Sequence, residues 1–150
     1  MDMVRWTQQL ISAFPQLASE GYEIVGDPTE QYNCIAYAAG DTSRWWEHSE
    51  NHHWPGYASR SNSMESLKQV FLGLGFQPCN DSRMEDGYQK VALYEQEGAW
   101  THAAVQMPNG RWRSKMGRGP VIEHQSPQSL SGGIYGEPST CMRRATGTVS

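Results

Sequence analysis

The sequence predicts an α+β domain in which N-terminal helices, one of them bearing a cysteine, pack on an antiparallel β-meander. Apolar residues recur at helical spacing only in the first half of the chain, and period-two alternation dominates after residue 89. The 15 glycines and 8 prolines indicate many turns and few long helices. A chain of 150 residues has the size of one compact domain, which we assign to residues 1–145, with a flexible tail at 146–150.

Charge and composition narrow the possible functions. The net charge of −4, from 12 basic and 16 acidic residues that are well mixed, argues against binding to nucleic acid or to an anionic membrane. The N-terminal residues lack the basic region and apolar core of a signal peptide, and no segment is long enough to span a bilayer. We therefore expect a protein that is cytoplasmic as synthesised, with export by a signal-peptide-independent route left open. We also expect a monomer without a cofactor.

The N-terminal region is predicted to form one short amphipathic helix. Apolar side chains recur at roughly helical spacing over residues 3–14, and Pro15 ends the run. Residues 15–32 are predicted to be irregular, apart from a short strand at 22–25.

The segment over residues 41–61, which we call the Trp/His loop, combines three tryptophans and three histidines with glycine and proline. We predict an ordered loop pinned by its indoles, and a loop of this length often forms the wall or lid of a cleft. Trp46 is therefore a candidate substrate contact. No acidic or thiol ligand accompanies the histidines in the way that structural zinc requires, so we expect no metal.

A further helix is predicted from residue 62 onward. Asn62 as N-cap and Glu65 three residues later form a capping box, apolar residues follow at helical spacing, and Gly75 ends the helix. Cys79 lies in the polar loop that follows and is expected to have no partner. With Cys34 and Cys141 it makes an odd set without a CxxC pair, which favours a reducing compartment over a disulfide scaffold.

The second half of the chain predicts the meander. Pro108, Asn109 and Gly110 have the composition of a hairpin turn. The strands are predicted over residues 90–94, 100–107, 111–116, 121–123 and 141–144.

The stretch over residues 32–40 carries the most informative chemistry. Asn33 is a good N-cap and Gly40 a good terminator, so Cys34 should lie in the first turn of a short Ala-rich helix. Unpaired amides and the helix macrodipole lower the pKa of a thiol in that position and favour the thiolate. Cys34 is thus a candidate nucleophile, although it is also explained as a small buried apolar residue.

The hairpin supplies a base and a third group. His102 precedes small residues on the second strand, which leaves space for the helix that carries Cys34 to dock beside the ring. With the turn at 108–110, Met107 faces Arg111, and Ser114 then lies near His102 on the same face of the next strand. Ser114 could therefore orient the imidazole, although an ordinary strand serine explains it equally well.

Residues 102–114 (HAAVQMPNGRWRS), taken with the Cys34 helix, resemble the NlpC/P60 and CHAP branches of the papain-like cysteine hydrolases. In the NlpC/P60 pattern a histidine begins a strand that runs into an Asn-Gly-Arg-aromatic hairpin, and a polar third residue follows on the return strand. That third residue is usually His, Asn or Gln, whereas this sequence has Ser114. The resemblance implies a papain-like fold and a cysteine peptidase or amidase that acts on peptide or isopeptide bonds, including those of bacterial cell walls. Small amidases of this kind also occur among bacterial effectors.

The chain also resembles an uncharacterised bacterial domain family, which implies no substrate. The matching stretches are residues 33–38, 91–94, 102–104, 112–117, 122–124 and 135–136. Lys115 and His124 belong to its polar signature. Lys115 should face away from Ser114, either in a cleft or as a solvated strand lysine, and His124 is either a cleft residue or a capped structural histidine.

These observations favour a thiol amidohydrolase in which His102 deprotonates Cys34. The backbone amide of Cys34, with a second donor from Gln31 or Tyr32, would form the oxyanion hole. The expected partners are a peptide or protein substrate and a partner or inhibitor protein. Deamidation or acyl transfer by the same Cys–His pair stays open, as does a non-catalytic binding module that uses the Trp/His loop as its contact surface.

Overall fold

The predicted α+β class is confirmed by the computed structural model, which describes residues 3–146. Within these residues the helices α1 to α4 span Met3–Ala13, Pro15–Glu20, Cys34–Ala39 and Met64–Gly73. The strands β1 to β7 span Glu23–Gly26, Gln77–Pro78, Tyr88–Gln96, Ala99–Gln106, Trp112–Lys115, Val121–His124 and Glu137–Ala145. A 3₁₀ turn covers Pro127–Leu130. None of the described helices is long and apolar enough to cross a membrane.

The strands form one antiparallel sheet in the order β1-β6-β5-β4-β3-β7-β2. The meander from β3 to β6 and the hairpin register are confirmed, since Val105 lies opposite Arg113 and Gln106 opposite Trp112. Those are the two residue pairs that join β4 to β5, whereas β5 and β6 pair along their whole length. Strands β4 and β5 therefore separate beyond these two pairs, which leaves a split in the sheet between the first half of β4 and the second half of β5.

Each face of the sheet has its own core. Leu93 and Ala103 pack with the residues of α3, α4 and the Trp/His loop, so we call this the α3 face. Tyr94 and Ala104, their neighbours along the strands, pack with α1, α2 and the 3₁₀ turn on what we call the α1 face. The alternation of side chains along β3 and β4 assigns their residues to the two cores.

Two helix starts differ from the prediction. Pro15 does not lead into irregular chain but begins α2, where its missing N–H costs nothing because the first helical amides have no partner within the helix. The N-cap of α4 is Ser63 instead of the predicted Asn62. The Ser63 hydroxyl accepts a hydrogen bond from the Ser66 amide at 3.2 Å. Both residue types cap helices well, and the backbone carbonyl of Asn62 is used to pair with the amide of Trp100.

The Trp/His loop is ordered and pinned by its indoles, as predicted. Trp46 and Trp54 are buried, and Trp54 stacks on Trp100 with ring centroids 5.7 Å apart. His48 packs its edge against both Trp54 and Trp100. Across residues 3–146, no three His, Cys, Asp or Glu side chains are grouped to hold a metal ion.

The C-terminal region corrects one further expectation. Cys79 does have a partner, because Pro78 pairs with Met142 and the next residues, Cys79 and Cys141, face each other across β2 and β7. Of the predicted tail, Thr146 donates its amide to the Gly87 carbonyl at 2.9 Å. Residues 147–150 lie outside the described part of the chain.

Candidate functional site

Asn33 sets the start of α3, as predicted. Its side-chain oxygen accepts from the amides of Ala36 and Trp46, both at 3.1 Å, and its amide group donates to the Trp46 carbonyl at 2.7 Å. Gly40 ends the helix in the left-handed conformation at φ 89°. Cys34 is therefore the first residue of a six-residue helix whose entry is tied to the Trp/His loop.

The thiol of Cys34 is buried, with 7% of the residue exposed. Burial raises its pKa to about 11, although backbone amides at Ala103, Ile35 and Cys34 and the charge of Lys115 act in the opposite direction. The expectation of a lowered pKa is thus wrong, because the cost of desolvating a thiolate exceeds what the amides of one short helix return. At neutral pH the resting side chain is a thiol.

Lys115 is completely buried on the α3 face, opposite in direction to Ser114 as predicted, so the alternative of a solvated strand lysine is wrong. Its ammonium donates to the backbone carbonyls of Thr29 and Gly117 and lies 5.1 Å from the centre of the Tyr32 ring. Burial lowers the pKa of Lys115 to about 8, against the attraction of Cys34. Lys115 is the cation that acts on the thiol.

His102 is completely buried on the α1 face. Its ring stacks on Tyr135, with centroids 4.1 Å apart and planes inclined by 7°, and meets Tyr94 edge-on at 5.1 Å. Within residues 3–146 neither ring nitrogen has a hydrogen-bond partner. Burial, reinforced by the neighbouring His124, holds the pKa of His102 well below its usual value, so the imidazole is neutral.

Cys34 and His102 lie on opposite sides of β4, because Cys34 packs in the core of the α3 face and His102 packs against Tyr94 on the α1 face. Helix α3 packs against both β4 and β5, and the thiol of Cys34 meets the backbone amide of Ala103, the residue directly after His102. Tyr135 stacks on His102 and also has its pKa raised, chiefly by burial and then by the charge of Cys34. No hydrogen bond joins the thiol of Cys34 to the imidazole of His102.

Ser114 does not hydrogen-bond to His102, so the expectation that it orients this imidazole is wrong. Its hydroxyl donates to Nε2 of His124 at 2.8 Å, and Nδ1 of His124 donates to the Ser126 carbonyl at 2.9 Å. Both side chains are completely buried, and burial lowers the pKa of His124 to about 4. The reason lies in the pairing of the strands, because β5 stays joined to β6 at Ser114 but has already left β4.

The remaining predicted contacts divide into two groups. Tyr32 lies at the site, where its ring faces the Lys115 ammonium. Gln31 is exposed and donates its side-chain amide to the Thr42 carbonyl at 3.2 Å. The indole of Trp46 is buried and donates to Asp41 at 2.8 Å, so Trp46 contributes to the scaffold of the loop.

Tyr135 is the site residue that sequence reasoning missed. Its carbonyl accepts from the Thr101 hydroxyl at 2.5 Å, and the chain then turns at Gly136 with φ 70°. A Cβ at Gly136 would lie 2.1 Å from the Glu95 carbonyl oxygen, so only glycine allows this approach. The Tyr-Gly pair at 135–136 was the available signal.

A cavity of about 250 Å³ opens near the residues that hold Lys115. Glu30 follows Thr29, and Arg118 follows Gly117, so the carbonyls that bind the ammonium lie next to residues that line the cavity. The lining residues are Glu30, Trp45, Glu47, His52 and Arg118.

The fold and the site together define a mixed α+β domain with a buried cysteine at a helix start, docked into a split antiparallel sheet. The chain belongs to the family described as Domain of unknown function (DUF7689), whose match covers residues 23–143. No significant match was found among curated proteins or among solved structures.

Proposed function

We propose that this protein is a thiol amidohydrolase in which Cys34 is the nucleophile and His102 is the general base. One observation carries the proposal: within residues 3–146 the completely buried His102 has no partner for either ring nitrogen, and it directly precedes Ala103, whose amide meets the Cys34 thiol. A buried polar group without a partner is costly, and such groups are frequent where a catalytic role compensates for the cost. Because the two side chains lie on opposite faces of β4, catalysis would require a local movement of this strand that brings the ring to the thiol, and that movement would break no hydrogen bond of the imidazole.

The proposed chemistry starts from a neutral pair. Because the pKa of Cys34 is raised and that of His102 is lowered, the proton moves from sulfur to imidazole as the thiol attacks the amide carbonyl. The backbone amides of Cys34 and Ile35, which act on the sulfur, would stabilise the oxyanion. His102 then protonates the leaving amine, and water releases the acyl group from Cys34. Lys115 favours every step in which negative charge develops beside it.

We further propose a papain-like relationship to the NlpC/P60 and CHAP branches. A cysteine-bearing helix against an antiparallel sheet supports it, as does the hairpin that follows His102. The third position differs, since Ser114 bonds His124, and we propose that stacking on Tyr135 orients His102 instead. The substrates would be peptide or isopeptide amides, with bacterial cell-wall peptides as the first class to test.

The test combines turnover with detection of the acyl-enzyme. The purified protein is incubated with cell-wall muropeptides and with a protein-derived peptide mixture, and both new amines and acyl adducts on Cys34 are measured by mass spectrometry. We expect Cys34→Ala and His102→Gln to abolish turnover, whereas Cys79→Ser, the matched cysteine control, should retain it. Turnover that survives in Cys34→Ala, or the absence of any adduct on Cys34 across both substrate sets, would refute the proposal.

A binding module is the second candidate, and one observation favours it. The 250 Å³ cavity is lined by the half-buried indole of Trp45 together with the charged side chains of Glu30, Glu47 and Arg118. An aromatic ring with flanking charges suits recognition of a polar peptide segment. A peptide bound equally well by wild type and Cys34→Ala, but lost in Trp45→Ala, would support this function over catalysis.

A further inference from the structure

The side chains of Cys79 and Cys141 form a close pair on the far edge of the sheet, well away in sequence from Cys34. Their sulfur atoms lie 3.0 Å apart, and the amide of Cys79 donates to the Cys141 carbonyl at 3.0 Å. Both residues are free thiols in this structure and both are half-buried. The two positions are separated by 62 residues in the chain, so the contact is a product of the fold.

We propose that Cys79 and Cys141 are a disulfide-forming dithiol, a modification site that a small-molecule or protein disulfide oxidises. A disulfide bond is about 2.05 Å long, so closure requires the sulfur atoms to approach by only about 1 Å. Cys79 directly follows β2 and Cys141 lies in β7, so the pair Pro78–Met142 and the hydrogen bond from the Cys79 amide to the Cys141 carbonyl hold the two backbones side by side. The proposal is independent of the amidohydrolase, because Cys34 belongs to a different face and element.

The reaction balances as thiol–disulfide exchange. The Cys79 thiolate attacks a reagent disulfide RSSR, whose S–S bond breaks to release one RSH and leave a mixed disulfide on Cys79. The Cys141 thiolate then attacks the Cys79 sulfur and displaces the second RSH. Two electrons pass from the cysteine pair to the reagent, and the two thiol protons leave with the two RSH molecules.

Access for the reagent is provided on the Cys79 side. Cys79 lines two cavities, of about 480 and 330 Å³, and Cys141 lines the second of them. The buried ammonium of Lys90 donates to the Asp81 carbonyl at 2.9 Å, and the same carbonyl accepts from Cys141 at 3.1 Å. This cation lowers the cost of a thiolate at Cys141, although burial and the neighbouring thiol raise the pKa overall. Because Cys79 lines both cavities and Cys141 only one, Cys79 is the sulfur that meets the reagent first.

Oxidation would tether the edge of the sheet. Strand β2 is two residues long and pairs with β7 through Gln77–Arg143 and Pro78–Met142. A bond between the next pair closes a long loop of chain, which reduces the conformational freedom of the unfolded state. The oxidised protein should therefore melt at a higher temperature than the reduced protein.

The experiment compares the full chain equilibrated in oxidised and in reduced glutathione. In the oxidised sample we expect a Cys79–Cys141 cross-linked peptide, and after denaturation a single thiol, that of Cys34, that can be alkylated. The melting temperature should be about 5–15 °C higher than in the reduced sample, and dithiothreitol should reverse the difference. Cys34→Ser should show the same link and the same shift, and Cys79→Ser should show neither. If Cys79→Ser does not fold, Cys141→Ala and the reduced wild type serve as references.

Three results would overturn the proposal. The first is full alkylation of both cysteines after oxidation, and the second is a cross-link that involves Cys34. The third is an identical melting shift in Cys79→Ser, which would assign the effect of the oxidant to another group.

Discussion

Asn33 and Trp46 are joined by two hydrogen bonds between the side chain of the first and the backbone of the second, at 3.1 and 2.7 Å. The same side chain caps α3 through the Ala36 amide. One buried amide therefore fixes both the helix that carries Cys34 and the Trp/His loop beside it. Asn33 therefore stabilises the Trp/His loop as well as the start of α3.

Replacement of Asn33 by alanine should destabilise the protein by about 2–4 kcal/mol, because a cap contributes about 1 kcal/mol and the buried backbone groups of Trp46 lose their partners as well. Ser63→Ala is the matched control, since the Ser63 hydroxyl also caps a helix but, within residues 3–146, bonds only its near neighbours Ser61 and Ser66. That variant should cost about 1 kcal/mol. The free energy of unfolding in urea measures both, and equal losses would contradict the double role of Asn33.

Stability should fall as the pH drops from 6.5 toward 5. In the fold the pKa of His124 is about 4, against 6.5 as its usual value, so the unfolded chain binds more protons throughout that interval. The resulting loss from His124 alone is about 2 kcal/mol between pH 7.5 and pH 5. Carboxylates whose pKa is lowered, such as Glu123, contribute only at lower pH, because their usual value is 4.5.

His124→Asn isolates the contribution of His124 to the pH dependence of stability. The side-chain amide of the asparagine can still donate to the Ser126 carbonyl but does not titrate. We expect lower stability at pH 7.5 and a flatter dependence on pH between 7.5 and 5. The exposed Asn51, which does not titrate, provides the control, because Asn51→Ala should keep the slope of the wild type. Urea unfolding at four pH values measures the slopes, and a slope unchanged in His124→Asn would contradict the assignment.

Trp54 should be the main structural anchor of the Trp/His loop. It is 3% exposed, stacks on Trp100 and donates its indole N–H to the Ser59 carbonyl at 2.7 Å. Trp54→Ala should cost about 3–5 kcal/mol, as expected for a buried aromatic side chain. Trp45→Ala, at a half-buried indole of the same loop, should cost less than about 1 kcal/mol. Thermal and urea unfolding compare the two, and a reversed order would be inconsistent with this account.

Gly136 should tolerate no side chain. A Cβ there would lie 2.1 Å from the Glu95 carbonyl oxygen, and the resulting shift would move Tyr135 off the ring of His102. We expect Gly136→Ala to cost at least about 3 kcal/mol. Gly87→Ala shares a positive φ of 82°, but its Cβ would meet no atom of the described residues within 4 Å, so it should cost about 1 kcal/mol. Similar losses in urea unfolding would show that backbone strain alone explains Gly136.

The sequence by itself determined the features that depend on neighbours in the chain. Asn33 as the cap of the Cys34 helix, the strands of the meander and the pairing of Val105 with Arg113 were all predicted, because capping, alternation and a short turn act over a few residues. The cap of α4 was displaced by one residue, from Asn62 to Ser63, where two good caps stand side by side. Local chemistry could not choose between them.

Tertiary structure alone decided the pKa of Cys34 and the contacts of Ser114 and His102. Burial of Cys34 reverses the expected direction of its pKa, and desolvation depends on the packing of the whole α3 face. Ser114 bonds His124 because β4 and β5 separate after two residue pairs, and no local pattern marks where a sheet splits. Likewise Tyr135 reaches His102 from 33 positions further along the chain (135 − 102). Such contacts follow from how elements pack together, which the order of residues constrains only through the complete fold.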